Sequence, residues 1–285
     1  MLSQACIISF QELLSEKIVR TQPLYGGDIN EVYVLSTATR RVVVKVNNTI
    51  QFPNMFQEEA KGLDLLKQSN SFKIPKVFGY GEVKDGNSFL LLEYIGESNN
   101  TKSFSETFGT QLASLHSYTS SYFGFETNNY IGSLPQYNSF CDNASDFYIT
   151  QRLQPQFELA RQKGFTFQEE NTLYNSLKDS IPDEKPSLIH GDLWSGNYIV
   201  GSDTTIFLID PAVAFAPREM DLGMMHLFGG FPEQLFEVYN EVFPLQQDWK
   251  KRLPLWQLYY LLVHLNLFGA SYYPRIKSIL KQYTS

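Results

Sequence analysis

The feature of this sequence that most restricts its fold is the separation of strand-type and helix-type patterns along the chain. Between residues 20 and 95, short runs rich in β-branched and aromatic residues alternate with turn signals, as in "EVYVLST", "RRVVVKVN" and "SFLLLEYI". From residue 104 onward, most apolar residues recur at helical spacing. These patterns predict an α+β fold, with an antiparallel sheet in the N-terminal part and a mostly helical C-terminal part.

One helix is predicted within the strand-rich part. The apolar residues of "PNMFQEEAKGLDLLKQSN" fall on one helical face: Phe56, Ala60, Leu63 and Leu66. Asn54 is placed to cap the start of this helix. The polar stretch "YIGESNNTKS" then predicts a boundary, with an N-terminal lobe over residues 1–95 and a C-terminal lobe over residues 96–285. We therefore expect two lobes with a cleft between them.

Composition disfavours several classes of protein. The 285 residues are 43% hydrophobic and 19% charged, which is typical of a globular chain and argues against disorder. The formal net charge of -7 disfavours a protein that binds nucleic acid through its phosphates. The two cysteines lack metal-ligand spacing, and no apolar run approaches the roughly 18 residues of a membrane span. We therefore expect a cytoplasmic protein without structural zinc, a disulfide framework or a membrane partner.

The segment "LIHGDLWSGNYIV" places polar residues between two apolar runs rich in β-branched residues. His190, Asp192 and Asn197 match the H-x-D-x4-N pattern of a phosphotransferase catalytic loop. Asp210 ends the next apolar run, where such enzymes place a metal-binding aspartate. Asp192 can accept the proton of an attacking hydroxyl, while Asn197 and Asp210 offer the hard oxygen ligands that Mg²⁺ prefers. The segment predicts phosphoryl transfer from ATP with Asp192 as the catalytic base.

A second set of candidates lies in the strand-rich part. Lys45 follows an alternating strand pattern, and Glu59 on the next helix can hold its ammonium group against the α and β phosphates of ATP. Glu58 is adjacent, so the partner of Lys45 stays open. The turn Gly26-Gly27 can cover phosphates with backbone N–H groups, although glycine pairs also mark ordinary turns. Taken singly, a lysine or glutamate at such positions is also typical of solvated surface.

Other polar residues of the helical part fit structural roles. Arg218 and Asp221 are placed to pair and cap at the start of a helix. His116 and His226 lie within apolar helical stretches, where packed histidines are expected. These four residues are not predicted to take part in the reaction.

Further motifs narrow the class of phosphotransferase. The HGD loop with Asn197 and Asp210 fits any member of a large superfamily, but three motifs are more specific. These are "HGDLWSGN", "IDPAV" followed by "REMDL", and "PQYN" before "RLQPQ". Together with segments along nearly the whole chain, they resemble the fructosamine (ketosamine) kinases, a branch of the protein-kinase-like and aminoglycoside phosphotransferase-like fold.

This resemblance implies a bilobal, protein-kinase-like fold. The N-terminal lobe would bind the nucleotide, with Glu93, Tyr94 and Ile95 as the hinge. The C-terminal lobe would carry the catalytic loop, the metal ligands and the acceptor site. The resemblance also implies that Lys45 and Glu59 form the ion pair.

The resemblance further implies an acceptor substrate. Trp194, Gln136 and Asn138 lie in the branch-specific motifs and are expected to line the acceptor side of the cleft. Trp194 can present an apolar face to a sugar, with core packing as the alternative. The implied reaction uses ATP and Mg²⁺ to phosphorylate a sugar hydroxyl, O3, of a ketosamine on a small amine or a protein side chain. It would serve deglycation repair or the metabolism of glycated amines, and the negative net charge suits a cationic amine.

Two alternatives remain at the level of sequence. One is a kinase for another small hydroxyl compound, such as an aminoglycoside or choline. The other is a non-catalytic nucleotide-binding protein of the same fold. Against the second stands the joint presence of the reaction's charged and metal-binding residues, none of which a scaffold needs: Lys45, Asp192, Asn197 and Asp210.

Overall fold

The N-terminal sheet contains the three strands that the sequence patterns indicate, and two more. The computed structural model describes residues 2–24, 29–98 and 103–284. Within these residues the antiparallel sheet has the order β1-β2-β3-β5-β4, formed by β1 (Arg20–Leu24), β2 (Glu31–Ser36), β3 (Arg41–Asn48), β4 (Val77–Glu82) and β5 (Asn87–Glu93). The edge strands β1 and β4 escape prediction because β1 is exposed throughout and contains Pro23, and β4 contains two glycines.

Two helices cover the opposite faces of this sheet. On one face, α1 (Gln4–Leu14) buries Cys6, Phe10 and Leu14 in a core that includes alternate residues of β3. On the other face, α2 (Met55–Gln68) packs against Leu90 and Leu92 of β5. The sequence predicts only α2. The signal for α1 is present, since its buried residues recur every four positions and Ser3 accepts a hydrogen bond from the main-chain N of Cys6 as an N-cap.

The start of α2 differs from its prediction. The predicted apolar face is buried, but Asn54 does not cap the helix through its side chain. An N-cap residue normally has an extended backbone, whereas Asn54 has φ 61°, in the left-handed region. The chain therefore enters α2 through a backbone turn rather than a capping side chain.

The C-terminal part is mostly helical. Its helices are α3 (Phe104–His116), α4 (Ala144–Phe147), a π-helical stretch (Tyr148–Leu153), α5 (Gln154–Gln162), α6 (Glu170–Ser180), α7 (Glu219–Phe228), α8 (Glu233–Val242), α9 (Trp249–Phe268), a 3-10 turn (Ala270–Tyr272) and α10 (Tyr273–Thr284). Helix α9 is buried over most of its length and packs against α5, α7 and α10. Helix α7 is also largely buried, and it begins directly after Arg218, where the sequence indicates a helix start.

Short two-stranded ribbons interrupt these helices and carry the polar loops. They are formed by β6 (Asn129–Ile131) with β7 (Leu134–Gln136), β8 (Ser187–Ile189) with β11 (Ala214–Ala216), and β9 (Tyr198–Val200) with β10 (Ile206–Leu208). The predicted catalytic loop joins β8 to β9, and the segment with Asp210 joins β10 to β11. Because β8 pairs with β11 and β9 pairs with β10, the two connecting segments lie side by side.

The chain crosses from the sheet to the helical part after β5. The sheet ends at Glu93, and the main-chain N of Ser98 donates to the carbonyl O of Val200 at 2.8 Å. Helix α2 also contacts β6. The N-terminal sheet thus lies against the ribbons that hold the predicted catalytic loop, while the predicted boundary after residue 95 stays a prediction.

Candidate active site

The loop between β8 and β9 is fastened by a buried histidine. The main-chain N of Asp192 donates to Nδ1 of His190 at 3.3 Å, so the ring proton lies on Nε2, which donates to the carbonyl O of Ile209 at 2.9 Å. The main-chain N of Ala212 donates to the carbonyl O of His190 at 2.9 Å. Burial lowers the pKa of His190, which keeps the ring neutral. His190 therefore joins the two loops.

Gly191 allows these loops to approach each other. Its φ is 84°, and a Cβ atom at this position would lie 2.0 Å from the carbonyl O of Ala212. No side chain can occupy that space without moving backbone. The glycine of the HGD motif is therefore required by the contact between the loops.

Asp192 and Asn197 are joined by their side chains. Nδ2 of Asn197 donates to the carbonyl O of Asp192 at 2.8 Å and to its Oδ2 at 3.1 Å. This use of the amide nitrogen leaves Oδ1 of Asn197 as the atom that can bind a cation. Burial, together with the charge of Asp210, raises the pKa of Asp192 to about 7, against the lowering effect of the Asn197 hydrogen bond. Such a carboxylate is suited to accept a proton from a hydroxyl near neutral pH.

Lys45 is held between two carboxylates. Its Nζ lies 2.7 Å from Oε1 of Glu59 and 2.5 Å from Oδ1 of Asp210. Burial alone would lower the pKa of Lys45, but the charges of Asp210 and Glu59 outweigh this effect and raise it. The lysine is therefore a fixed positive charge, and it connects the sheet and α2 to the loop before β11.

The geometry separates the two neighbouring glutamates of α2. Glu59 pairs with Lys45, whereas Oε1 of Glu58 accepts from Nζ of Lys61 at 2.8 Å. Oε2 of Glu58 accepts from the hydroxyl of Thr127 in the helical part of the chain. Glu58 is thus tied to the chain before β6, away from the lysine.

Asp210 has an unusual backbone. Its φ is 56°, in the left-handed region, and its side chain is 44% exposed. Residues other than glycine seldom adopt this conformation, and they concentrate at functional sites. Asp210 thereby presents a carboxylate to the cleft while Lys45 holds one of its oxygens.

Asp221 has a role that the sequence analysis missed. Its carboxylate is fully buried and accepts from the main-chain N of His190 at 2.8 Å and of Gly191 at 2.9 Å. Nε2 of His116 lies 3.3 Å from the same carboxylate. Asp221 thus anchors the start of the catalytic loop from α7. The signal was an acidic residue within the apolar stretch "DLGMM", where a carboxylate requires a buried partner.

Gln136 does not line the cleft as predicted. Its side chain is buried, and its Nε2 donates to the carbonyl O of Ala212 at 2.9 Å and to Oδ1 of Asn129 at 2.8 Å. Its Oε1 accepts from the hydroxyl of Tyr259 at 2.8 Å. The side chain is fully engaged within the protein and supports the segment that follows Asp210.

Asn138 is buried in the same network. Its Nδ2 donates to Oδ1 of Asn129 and to the carbonyl O of Thr127, each at 3.0 Å. Its Oδ1 accepts from NH2 of Arg152 at 2.8 Å. The residue of this network that does reach the cleft is Asn129, which the sequence analysis did not single out. Residue type alone did not show which amides of this network face the cleft.

These residues meet at a cavity of about 550 Å³. Its inner end is polar and contains Lys45, Glu59, Asp192, Asn197 and Asp210. Its outer part is largely apolar.

Trp194 lines the outer part of this cavity and is 39% exposed, while its predicted contact with the acceptor stays a prediction. A Cβ atom at position 196 would lie 2.2 Å from Cη2 of Trp194, so the indole ring rests on Gly196. Partial exposure and a place in the cavity wall distinguish Trp194 from a core residue.

The three predicted hinge residues are absent from the described lining of this cavity. Glu93 ends β5, where its Oε2 accepts from the main-chain N of Lys76 at 3.1 Å. The guanidinium carbon Cζ of Arg41 lies over the ring of Tyr94, 3.9 Å from the ring centroid. Ile95 is half-buried. The predicted phosphate-covering turn, Gly26-Gly27, lies outside the described residues.

The inner end of the cavity fits a nucleotide with a hard divalent cation. Asp210 offers a partly exposed carboxylate and Asn197 an amide oxygen, which is the donor set that Mg²⁺ prefers. Lys45 adds a fixed positive charge beside them, suited to phosphate oxygens.

Comparison with known proteins identifies the family. A family model described as fructosamine kinase matches residues 2–285. The chain belongs to the fructosamine kinase family. The resemblance of the motifs to this family is thereby confirmed.

Relatives of similar length support this assignment. A protein assigned as a ketoamine kinase from Enterococcus faecium is 36% identical over 268 residues, which cover 92% of this chain and 94% of the relative. A chloroplastic protein-ribulosamine 3-kinase from Arabidopsis thaliana is 34% identical over 274 residues, covering 94% of this chain and 83% of the relative. The prediction of a phosphotransferase with an alcohol group as acceptor is confirmed at the level of this family.

Solved structures confirm the fold. A protein assigned as a fructosamine-3-kinase from Haemophilus somnus matches with a TM-score of 0.90 and 30% identity, over 99% of this chain and 97% of that chain. A thermostable mutant of the aminoglycoside phosphotransferase APH(4)-Ia matches with a TM-score of 0.65 and 15% identity, over 99% of this chain and all of that chain. The second similarity shows the fold alone, and it confirms the predicted kinase-like architecture. Across the described residues, no helix has both the length and the apolar character needed to span a membrane.

Proposed function

We propose that this member of the fructosamine kinase family transfers the γ-phosphoryl group of ATP to O3 of the sugar in a ketosamine. The proposal rests on the meeting of a partly buried carboxylate, a fixed ammonium group and oxygen ligands in one cavity, at Asp192, Lys45, Asn197 and Asp210. The names of the relatives, ketoamine kinase and protein-ribulosamine 3-kinase, support the substrate class. The reaction would serve deglycation repair or the metabolism of glycated amines.

In the proposed reaction Asp192 is the catalytic base. The O3 hydroxyl is oriented by Asp192 and loses its proton to the carboxylate as the oxygen forms a bond to the γ-phosphorus. The bond from that phosphorus to the bridging oxygen breaks, and ADP leaves with the electron pair. The raised pKa of Asp192 matches the task, because a base works best when its pKa lies near the working pH.

Lys45, Asn197 and Asp210 would hold the phosphates and the metal. In phosphotransferases a divalent cation neutralises the charge that develops on the phosphate oxygens. Asn197 and Asp210 would bind Mg²⁺ through Oδ atoms, and Lys45 would contact phosphate oxygens while Glu59 keeps it in place. Catalysis then depends mostly on position and charge, which the buried network around the loops fixes in advance.

We assign the two parts of the chain different tasks. Residues 1–95 would bind the nucleotide, with Glu93, Tyr94 and Ile95 as the hinge and Gly26-Gly27 over the phosphates. Residues 96–285 would provide the base, the metal ligands and the acceptor site, with Trp194 against the sugar. Acceptors would be ketosamines on small amines or on protein side chains. The low cysteine count fits action in the cytoplasm.

The position of phosphorylation tests this proposal. A ketosamine such as N-fructosyl-benzylamine would be incubated with ATP and Mg²⁺, and the product analysed by ³¹P–¹H correlation spectra. Coupling of phosphorus to the proton on C3 is the expected result. Phosphate on another hydroxyl would overturn the O3 assignment, and the absence of any phosphorylated ketosamine would overturn the proposed substrate class.

A further inference from the structure

The outer part of the cavity has an aromatic lining, and the proposed reaction uses only one of its residues, Trp194. We call this lining the aromatic rim, and it consists of Trp194, Phe228, His264, Phe268 and Tyr272. Trp194 comes from the catalytic loop, while the others come from the ends of α7 and α9 and from the 3-10 turn after α9.

The rings of the rim pack on one another around His264. The centroid of its ring lies 4.7 Å from that of Phe228, 5.4 Å from that of Phe268 and 5.2 Å from that of Tyr272. Nevertheless Phe228 is 43% exposed and Phe268 is 53% exposed. Two phenyl groups are thus held in fixed positions at the mouth of the cavity with much of their surface open to a ligand.

Charge is confined to the other end of the cavity. Among the described residues that line it, every formally charged one belongs to the inner end: Lys45, Glu59, Asp192 and Asp210. Burial lowers the pKa of His264, so this ring of the rim is neutral at physiological pH. Apolar residues such as Ile131, Val263 and Leu267 also line the cavity. The rim therefore offers an acceptor apolar contact without an ion-pair partner.

We propose that the aromatic rim binds the nitrogen substituent of the ketosamine and selects a substituent that is apolar next to the nitrogen. This inference rests on the proposed function, which places O3 beside Asp192. Only C2 and C1 separate the reacting carbon from the nitrogen, so a substituent on the nitrogen extends from the inner end of the cavity toward the rim.

Two effects make the rim selective. An apolar substituent that packs against Phe228 and Phe268 is removed from water and contacts the aromatic faces, and both effects stabilise the complex. A carboxylate close to the nitrogen, as in the adduct of a free α-amino acid, would lose hydration at an uncharged wall and lie near the carboxylate of Asp192. Two kinds of amine provide such an apolar substituent: a free apolar amine, or a lysine side chain through its methylene chain.

The specificity constant kcat/KM for matched adducts tests this inference. Three fructosyl adducts are compared at saturating ATP: those of benzylamine, of the ε-amine of lysine blocked at both backbone ends, and of glycine. We expect the first two to exceed the glycine adduct by about tenfold or more. A preference for the lysine adduct over the benzylamine adduct indicates a protein-derived substrate, and the reverse indicates a free apolar amine. Either order of these two adducts supports selection by the aromatic rim, provided that both exceed the glycine adduct.

Substitutions at the rim separate its role from general folding. Phe268→Arg supplies a partner for a carboxylate, so kcat/KM for the glycine adduct should rise relative to the benzylamine adduct. Phe228→Ala should lower kcat/KM for the benzylamine adduct by about tenfold and leave KM for ATP within about twofold. The matched control is Tyr80→Ala, because Tyr80 is 46% exposed on β4 and does not line the cavity.

The outcomes that contradict the inference are distinct from failure of the proposed function. Equal kcat/KM for all three adducts, or an unchanged ratio in Phe268→Arg, would overturn the selective rim while leaving the kinase activity in place. If none of the adducts is phosphorylated, the proposed function itself fails, and the inference fails with it.

Discussion

The carboxylate of Asp192 is the single group that the proposed chemistry requires most directly. Asp192→Asn keeps the shape of the side chain but removes its ability to take a proton from the acceptor. We expect kcat to fall by on the order of a hundredfold or more, while KM for ATP changes little. Steady-state kinetics with a ketosamine, together with a thermal melt to establish folding, check this result. Near-normal turnover in a folded variant would remove Asp192 from the role of base.

The position of the Trp194 ring depends on Gly196, which has no side chain. A Cβ atom at position 196 would lie 2.2 Å from Cη2 of Trp194, so Gly196→Ala must displace the indole ring. We expect Gly196→Ala and Trp194→Ala both to raise KM for the ketosamine and lower kcat, with KM for ATP within a few fold. If Trp194 served only core packing, Trp194→Ala would instead reduce stability by about 3 to 5 kcal/mol and affect both substrates alike. Both KM values and the melting temperature distinguish these outcomes.

Among the elements, those with a clean periodic pattern could be predicted from the sequence. The strands β2 and β3 and the helices α2, α3, α6 and α8 fall where apolar residues alternate or recur with helical spacing, whereas β5 and α9 are indicated by long apolar runs. The edge strands β1 and β4 could not, because β1 is exposed throughout and β4 is interrupted by two glycines. Sequence periodicity reports one-sided burial, and these strands lack it.

The loop between β8 and β9 could be singled out from the sequence because the chemistry proposed for it fixes residue type and spacing together. The residues that support it could not, because many types of side chain can satisfy a buried main-chain group. Asp221 and Gln136 show the difference: one holds the main chain of the loop, and the other holds the carbonyl O of Ala212. Sequence indicates that polar residues are present in apolar surroundings, but only the fold shows which groups they meet.

The support provided by Gln136 gives a prediction about the β6–β7 ribbon. Gln136→Met leaves the carbonyl O of Ala212 and the hydroxyl of Tyr259 without their buried partner. We expect the free energy of unfolding to fall by about 1 to 3 kcal/mol. If the residue is support, KM for ATP and KM for the ketosamine should change by the same factor. Chemical denaturation and steady-state kinetics measure these quantities.

Gln162→Met, on the exposed surface of α5, is the matched control for Gln136→Met, and should leave stability nearly unchanged. A selective rise in KM for the ketosamine in Gln136→Met, with unaltered stability, would contradict a supporting role. Such a result would indicate that Gln136 belongs to the acceptor site.

For the molecule as a whole, buried histidines link folding to pH. Burial lowers the pKa of His116, His226 and His264 below the ordinary value of about 6.5. Below pH 6.5 the unfolded chain binds more protons at these rings than the folded chain does, so their contribution to the free energy of unfolding falls as the pH falls, against the smaller opposite contribution of Asp192. The slope contributed by one fully buried histidine is at most about 1.4 kcal/mol per pH unit.

Urea unfolding at pH 7.5 and pH 5.5 measures this linkage. The wild-type protein should be less stable at pH 5.5, and His226→Gln should show a smaller loss because one titrating group is absent. An equal loss in the variant would mean that His226 titrates alike in the folded and unfolded chain.

The central claim is that the charged end of the cavity transfers phosphate from ATP to a ketosamine. The most direct measurement is ATP consumption in the presence of Mg²⁺ with a fructosyl or ribosyl amine, and with the same amine unglycated. We predict rapid, ketosamine-dependent formation of ADP by the wild-type protein, little with the unglycated amine, and little in Asp192→Asn. ADP formation that is independent of the sugar adduct, or faster with an aminoglycoside or choline, would contradict the claim.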